Sequence, residues 1–103
     1  MNLTKDEQYI LYDWIDRYVS PIKNTNYDIN TSDLRKSFVL YYVHGFYISN
    51  NDMNEALCNK GYRPSNLSNT PYWVFNISSR CRALQEYHLR VSGAQHQCDP
   101  KYE

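Results

Sequence analysis

The sequence predicts a small α+β domain: four helices with a small sheet of two or three strands. Three observations carry that reading. Four stretches, 4–18, 31–45, 49–61 and 78–93, open on Ser or Thr and place apolar residues at three-and-four spacing, the mark of a helix with one buried stripe. Gly45, Gly61 and Gly93 stand where the last three of these should stop. Residues 72–77, Tyr-Trp-Val-Phe-Asn-Ile, alternate in the manner of a strand with one core face. At 103 residues there is room for one domain, taken as 1–93, with 94–103 as a C-terminal tail.

Thr4-Lys5-Asp6-Glu7 is a capping box and begins the first helix, whose Leu11, Trp14, Ile15 and Tyr18 face inward until Pro21 ends it. A polar loop follows to Asn30. Thr31 or Ser32 should cap the second helix, with Leu34, Phe38, Tyr41 and Tyr42 buried and Gly45 as its left-handed terminator. Phe46-Tyr47-Ile48 is then a short extended segment. Ser49 and Asp52 cap the third helix, which buries Met53, Ala56 and Leu57 and stops at Gly61. Pro64 restricts the next segment to an edge or a turn, because it has no N–H to give a ladder. The strand at 72–77 leads to a fourth helix over Arg80 to Val91, capped by Ser78 or Ser79. The expected core is Trp14, Phe38, Leu57, Trp73 and Phe75. Helix, short extended stretch, helix, loop and aromatic strand, in that order, is winged helix-turn-helix-like, the 72–77 strand being its wing.

Composition narrows the function classes. Eleven Lys and Arg balance eleven Asp and Glu, so the chain does not hold nucleic acid through bulk positive charge. Sixteen per cent of residues are aromatic, with 11 Tyr, a residue type that anchors interfaces. No apolar run reaches the about 18 to 20 residues of a membrane helix, and the N-terminus has no signal-peptide core, so a cytoplasmic protein is expected. The Asn, Tyr, Ile and Lys bias fits an AT-rich genome, such as a phage or mobile element of a low-GC bacterium.

Thr31-Ser32-Asp33-Leu34, then Met53-Asn54-Glu55-Ala56-Leu57-Cys58-Asn59-Lys60-Gly61-Tyr62, then 72–77 resembles the winged helix at the C-terminal end of phage and large-virus primase-helicases. The same arrangement is similar to small stand-alone phage proteins, among them repressors, replication accessories and anti-CRISPR inhibitors. The resemblance implies a non-enzymatic protein of a bacterial host's cytoplasm that binds a host protein, such as a type II CRISPR nuclease, and occludes a lobe needed for guide or target DNA. Its alternative is a winged-helix DNA-binding regulator or replication accessory.

Three residue sets are candidates for sites. Arg80, Arg82 and Arg90, with Arg35 and Lys36 as a smaller patch, form a basic partner-binding surface opposed only by Glu86, since arginine forks suit phosphates and carboxylates alike. Asn51, Asn54 and Asn59 could read adenine edges, whereas Asp52 and Glu55 on the same helix oppose a DNA backbone. Cys58, Cys81 and Cys98 with His96, or His88 in its place, amount to a Cys3His set that would suit one structural zinc. Their wide spacing favours three separate thiols. The acidic pairs Asp13/Asp16 and Asp52/Glu55 lack a partnering His or nucleophile, so no enzyme is expected.

Overall fold

A computed structural model describes residues 3–65 and 71–89. Helix α1, Lys5–Tyr18, starts as the sequence requires: the Glu7 N–H donates to Thr4 Oγ1 at 3.1 Å and the Thr4 N–H to Glu7 Oε1 at 2.9 Å. It buries Leu11, Trp14 and Ile15. Helix α2, Thr31–Lys36, is capped by Asn30 rather than by Thr31 or Ser32. Asn30 Oδ1 accepts from the Ser32 N–H at 2.8 Å, and Asp33 returns a carboxylate oxygen to the Asn30 N–H at 3.1 Å. That frees the Thr31 hydroxyl for the interior.

α2 does not run to Gly45 as expected. From Ser37 to Tyr41 it widens into a π-turn, and Tyr42 is already extended. Gly45 is not left-handed either; positive φ among the described glycines belongs to Gly61 alone, at 93°, where it closes the third helix as the sequence predicts. The reason for glycine at 45 is steric. A Cβ there would collide with the backbone carbonyl oxygen of Phe38 and lie 3.0 Å from that of Tyr42. The chain doubles back over the π-turn with no space for a methyl group. Gly45→Ala should therefore destabilise the fold by about 1–3 kcal/mol, as overpacking against backbone does, and lower the midpoint of thermal unfolding measured by circular dichroism. An unchanged midpoint would show that 42–46 leaves room there.

Helix α3, Asn50–Asn59, has the expected Ser49/Asp52 capping box and buries Met53, Ala56 and Leu57. Helix α4 covers 82–89, beginning two residues later than expected because the Ser78 hydroxyl and carbonyl take the N–H groups of Arg80 and Cys81. The four helices enclose a core of rings. Phe38, fully buried, sits edge-on to Trp14 and to Phe46, each at 5.2 Å, and stacks on Tyr42 at 5.7 Å. Leu11, Leu34, Met53, Leu57, Phe75 and Leu84 complete it. The expected limits at Val91 and Gly93 and the 94–103 tail lie outside the described residues.

The wing sheet is the main correction, and with it the α+β class: the described residues form a mostly helical domain with no strand among them. The 71–77 segment is extended, but it meets its neighbours only through isolated antiparallel bridges, Pro21 to Ile77, Asn30 to Val74 and Pro64 to Phe75. Prolines occupy two of the three bridges, so no ladder can continue through them. Single backbone bonds and side-chain amides together hold it in place of a ladder. The Asn76 backbone carbonyl accepts from the Ile22 N–H at 3.0 Å, while its side-chain oxygen accepts from the Arg63 N–H at 2.8 Å. Asn26 reaches the Ile77 carbonyl at 3.0 Å. Because the segment is gripped from both flanks, Asn76 is buried alongside Phe75 and Ile77, and Trp73 is only half-buried. Phe46-Tyr47-Ile48 pairs with no strand; it is held by Arg35 Nε donating to the Ile48 carbonyl at 2.6 Å.

Candidate binding surface

Two contacts place α4 beside α2, running in the same direction: the Ser37 hydroxyl donates to the Ala83 carbonyl at 2.9 Å, and the Tyr41 and Tyr87 rings meet at 5.8 Å. Lys36, Arg80 and Arg82 are exposed. The Arg82 guanidinium lies 4.6 Å over the Tyr18 ring and its Nε bonds Glu86 at 3.2 Å, so the one opposing carboxylate on α4 is engaged. Arg35 does not join them. Its group is spent on Ile48 and on the Tyr47 ring, 5.1 Å away, where it fastens the 46–48 segment. Arg90 lies outside the described residues.

Sequence reading did not single out the exposed aliphatics. Leu40 is 63% exposed, Val43 84% and Leu89 73%. Single exposed aliphatics are ordinary on a protein surface. The available signal was Leu40 and Val43 falling outside the inward set Leu34, Phe38, Tyr41 and Tyr42.

α3 displays little that could read bases. Asn54 is buried, donating from Nδ2 to the Pro71 carbonyl at 3.0 Å and accepting from the Thr31 hydroxyl, and Asn59 donates to the Tyr12 hydroxyl at 3.0 Å. Of the three candidate adenine readers only Asn51 is left facing solvent without a bond of its side chain, beside Glu55.

The thiols are placed apart in character. Cys58 is on the exposed side of α3, and Cys81 is buried beneath the start of α4. Burial pushes both thiols up, Cys58 with help from the Glu55 carboxylate, which opposes the thiolate a zinc ligand must become. His88 is exposed on α4, while Cys98 and His96 lie outside the described residues. Among the described residues no three His, Cys, Asp or Glu side chains gather around one point.

A shallow cleft between the ends of α1 and α3 is lined by Asp16, Val19, Pro21, Lys60, Gly61 and Tyr62. Lys60 crosses it to Asp16 at 2.9 Å. The Tyr62 hydroxyl donates to the Val19 carbonyl at 3.1 Å, and burial, aided by Cys81 and Asp16, pushes its pKa up to about 12. The phenol thus keeps its proton in the fold where the unfolded chain releases it, near 10. Stability from this group is intact below pH 10 and falls as pH rises towards 12. Tyr62→Phe should flatten that alkaline decline in a series of urea titrations; an equally steep decline in the variant would assign it to other groups.

No protein-family model, curated protein or solved structure matches this chain. Among the described residues no helix is long and apolar enough to cross a membrane.

Proposed function

We propose that this chain works by binding a protein partner and occupying its surface, with no chemistry of its own. The observation that carries the reading is the set of large side chains left in solvent, Leu40, Val43 and Leu89 among the aliphatics and Tyr9, Tyr27, Tyr47 and Tyr72 among the rings, together with the exposed cations Lys36, Arg80 and Arg82. Exposed aliphatic and aromatic side chains together with arginine are the composition of a protein interface. Two supports are indirect: the zero net charge and the internal engagement of Asn54 and Asn59 both weigh against duplex DNA as the target. The sequence resemblance supplies the first partner to try, an RNA-guided nuclease of the type II CRISPR class in a bacterial cytoplasm. The wing strand on which that resemblance also drew is not formed by the 71–77 segment.

The test is a titration of the purified chain into that nuclease with guide and target DNA. Cleavage should fall in proportion to the inhibitor added and stop at one equivalent, with a joint peak in size-exclusion chromatography. Undiminished cleavage without a joint peak would remove this partner. A salt-sensitive shift of duplex DNA by the chain alone would replace protein binding with the DNA-regulator alternative.

A further inference from the structure

A second cavity, of about 320 Å³, is lined by Arg35 of α2, Tyr47, the α3 cap Ser49, Asn50, Asn51 and Pro71. Its walls hold hydrogen-bonding groups that the chain itself does not use. Arg35 gives only Nε to the Ile48 carbonyl, so its two Nη groups have no bond among the described residues, and it pairs with no carboxylate there. The α3 capping box takes the Ser49 and Asp52 N–H groups, and Met53 donates to the Ser49 carbonyl, which leaves the N–H groups of Asn50 and Asn51 over at the helix start. In the same wall Asn50 Oδ1 is shut off from solvent without a partner, alone in that state among the side-chain atoms of the described residues. A native polar group so placed calls for a partner from elsewhere. Tyr47, 72% exposed, forms an open side, with the Arg35 guanidinium 5.1 Å over its ring.

Resting on the protein-binding reading above, we propose that this cavity takes the C-terminal residue of the partner chain, its carboxylate on the Arg35 Nη groups and the Asn50 and Asn51 N–H groups, its own amide N–H on Asn50 Oδ1. Charge selects the carboxylate. One guanidinium balances one negative charge, and the Asp52 carboxylate, held by the Ser49 N–H on the same helix turn, opposes a second, so a phosphate dianion fits less well. The unpartnered acceptor selects the chain end: a terminal residue carries carboxylate and N–H on one Cα, and a turn of the Asn50 side chain into the cavity meets both at once. Arginine and tyrosine are also the residue types that dominate interface energies.

The experiment is an amide NMR titration of the full chain with N-acetylalanine, its uncharged C-terminal amide, a Glu residue blocked at both ends, and inorganic phosphate. N-acetylalanine should shift the Asn50 and Asn51 signals saturably, with a dissociation constant in the millimolar range that suits so small a ligand, and bind at least about tenfold tighter than its amide. Asn51→Asp should weaken it at least about tenfold by charge repulsion, whereas Asn51→Gln should not. An aspartate in the first helical turn is favourable, so the melting temperature should not fall. Equal shifts with acid and amide, shifts with neither, or full binding by Asn51→Asp would overturn the proposal. Equal or tighter binding of the blocked Glu would replace the chain end with an acidic side chain, and tighter binding of phosphate would make this a phosphate site. If the nuclease is inhibited equally by wild type and Asn51→Asp, the function stands and this cavity is not where the partner docks; if N-acetylalanine binds as described but the nuclease is unaffected, the cavity stands and the partner is another protein.

Discussion

Phe38→Ala is expected to remove about 3–5 kcal/mol of stability, the range for deleting a fully buried aromatic ring. A chain of this length has about 5–15 kcal/mol in all, so the variant should be close to unfolding at 37 °C. The size of the effect follows from position. Phe38 lies in the π-turn, touches Trp14 on α1, Tyr42 beyond the turn and Phe46 in the next segment, and is wholly shielded from water. Its ring is where three separate lengths of chain agree on one packing. Removing it leaves a cavity that Trp14 cannot fill without leaving Leu11 and Ile15, which anchor its own helix face. Phe38→Leu, which keeps most of the volume, should lose clearly less. A chemical-denaturation midpoint for Phe38→Ala within experimental error of wild type would mean that the ring cluster is not the fold's centre.

How far the sequence reveals this molecule depends on the range of the interactions involved. Two helix starts were legible because a capping box is local: Thr4 with Glu7 and Ser49 with Asp52 satisfy each other three residues apart, whereas the equally local Asn30/Asp33 box of α2 was passed over for the neighbouring Thr31 or Ser32. Inward stripes were legible for the same reason, and Trp14, Phe38, Leu57 and Phe75 are buried where periodicity puts them. The errors sit where a distant element decides. Gly45 looks like any helix terminator until the chain is seen to fold back on the Phe38 carbonyl. The 72–77 alternation was read as a strand with a solvent face, but strand partners cannot be counted from within one segment. Here the flanking chains bring Pro21 and Pro64 to the bridges, and the side-chain amides of Asn76 and Asn26 supplement the isolated backbone bonds. The basic surface was half legible for a related reason: residue type identifies Arg35 as a cation, whereas only the fold shows it committed to Ile48 and Tyr47.

Those amides lead to the second large effect. Thr31 is fully buried at the first turn of α2, and its hydroxyl is the junction of the 71–77 segment with two helices: it donates towards Asn54 Oδ1 and accepts from the Trp73 N–H at 3.1 Å. Its backbone N–H also donates to the Trp73 carbonyl at 2.9 Å. Thr31→Val preserves shape and the backbone bond but strands the Asn54 oxygen and the Trp73 N–H. Each stranded group in such a site costs about 1–3 kcal/mol, so about 2–6 kcal/mol is expected for the pair. Thr31→Ser keeps the hydroxyl and loses one methyl group, for about 1 kcal/mol. The order of the two variants is the decisive reading, because the hydrophobic effect alone predicts the reverse: valine is the more apolar residue. If denaturant titration finds Thr31→Val as stable as wild type, the junction contributes nothing net and the segment is held by Phe75 and Ile77 burial. If Thr31→Val and Asn54→Ala together lose no more than the worse single variant, the two side chains act as one latch, which is what a shared hydrogen bond in a closed interior requires.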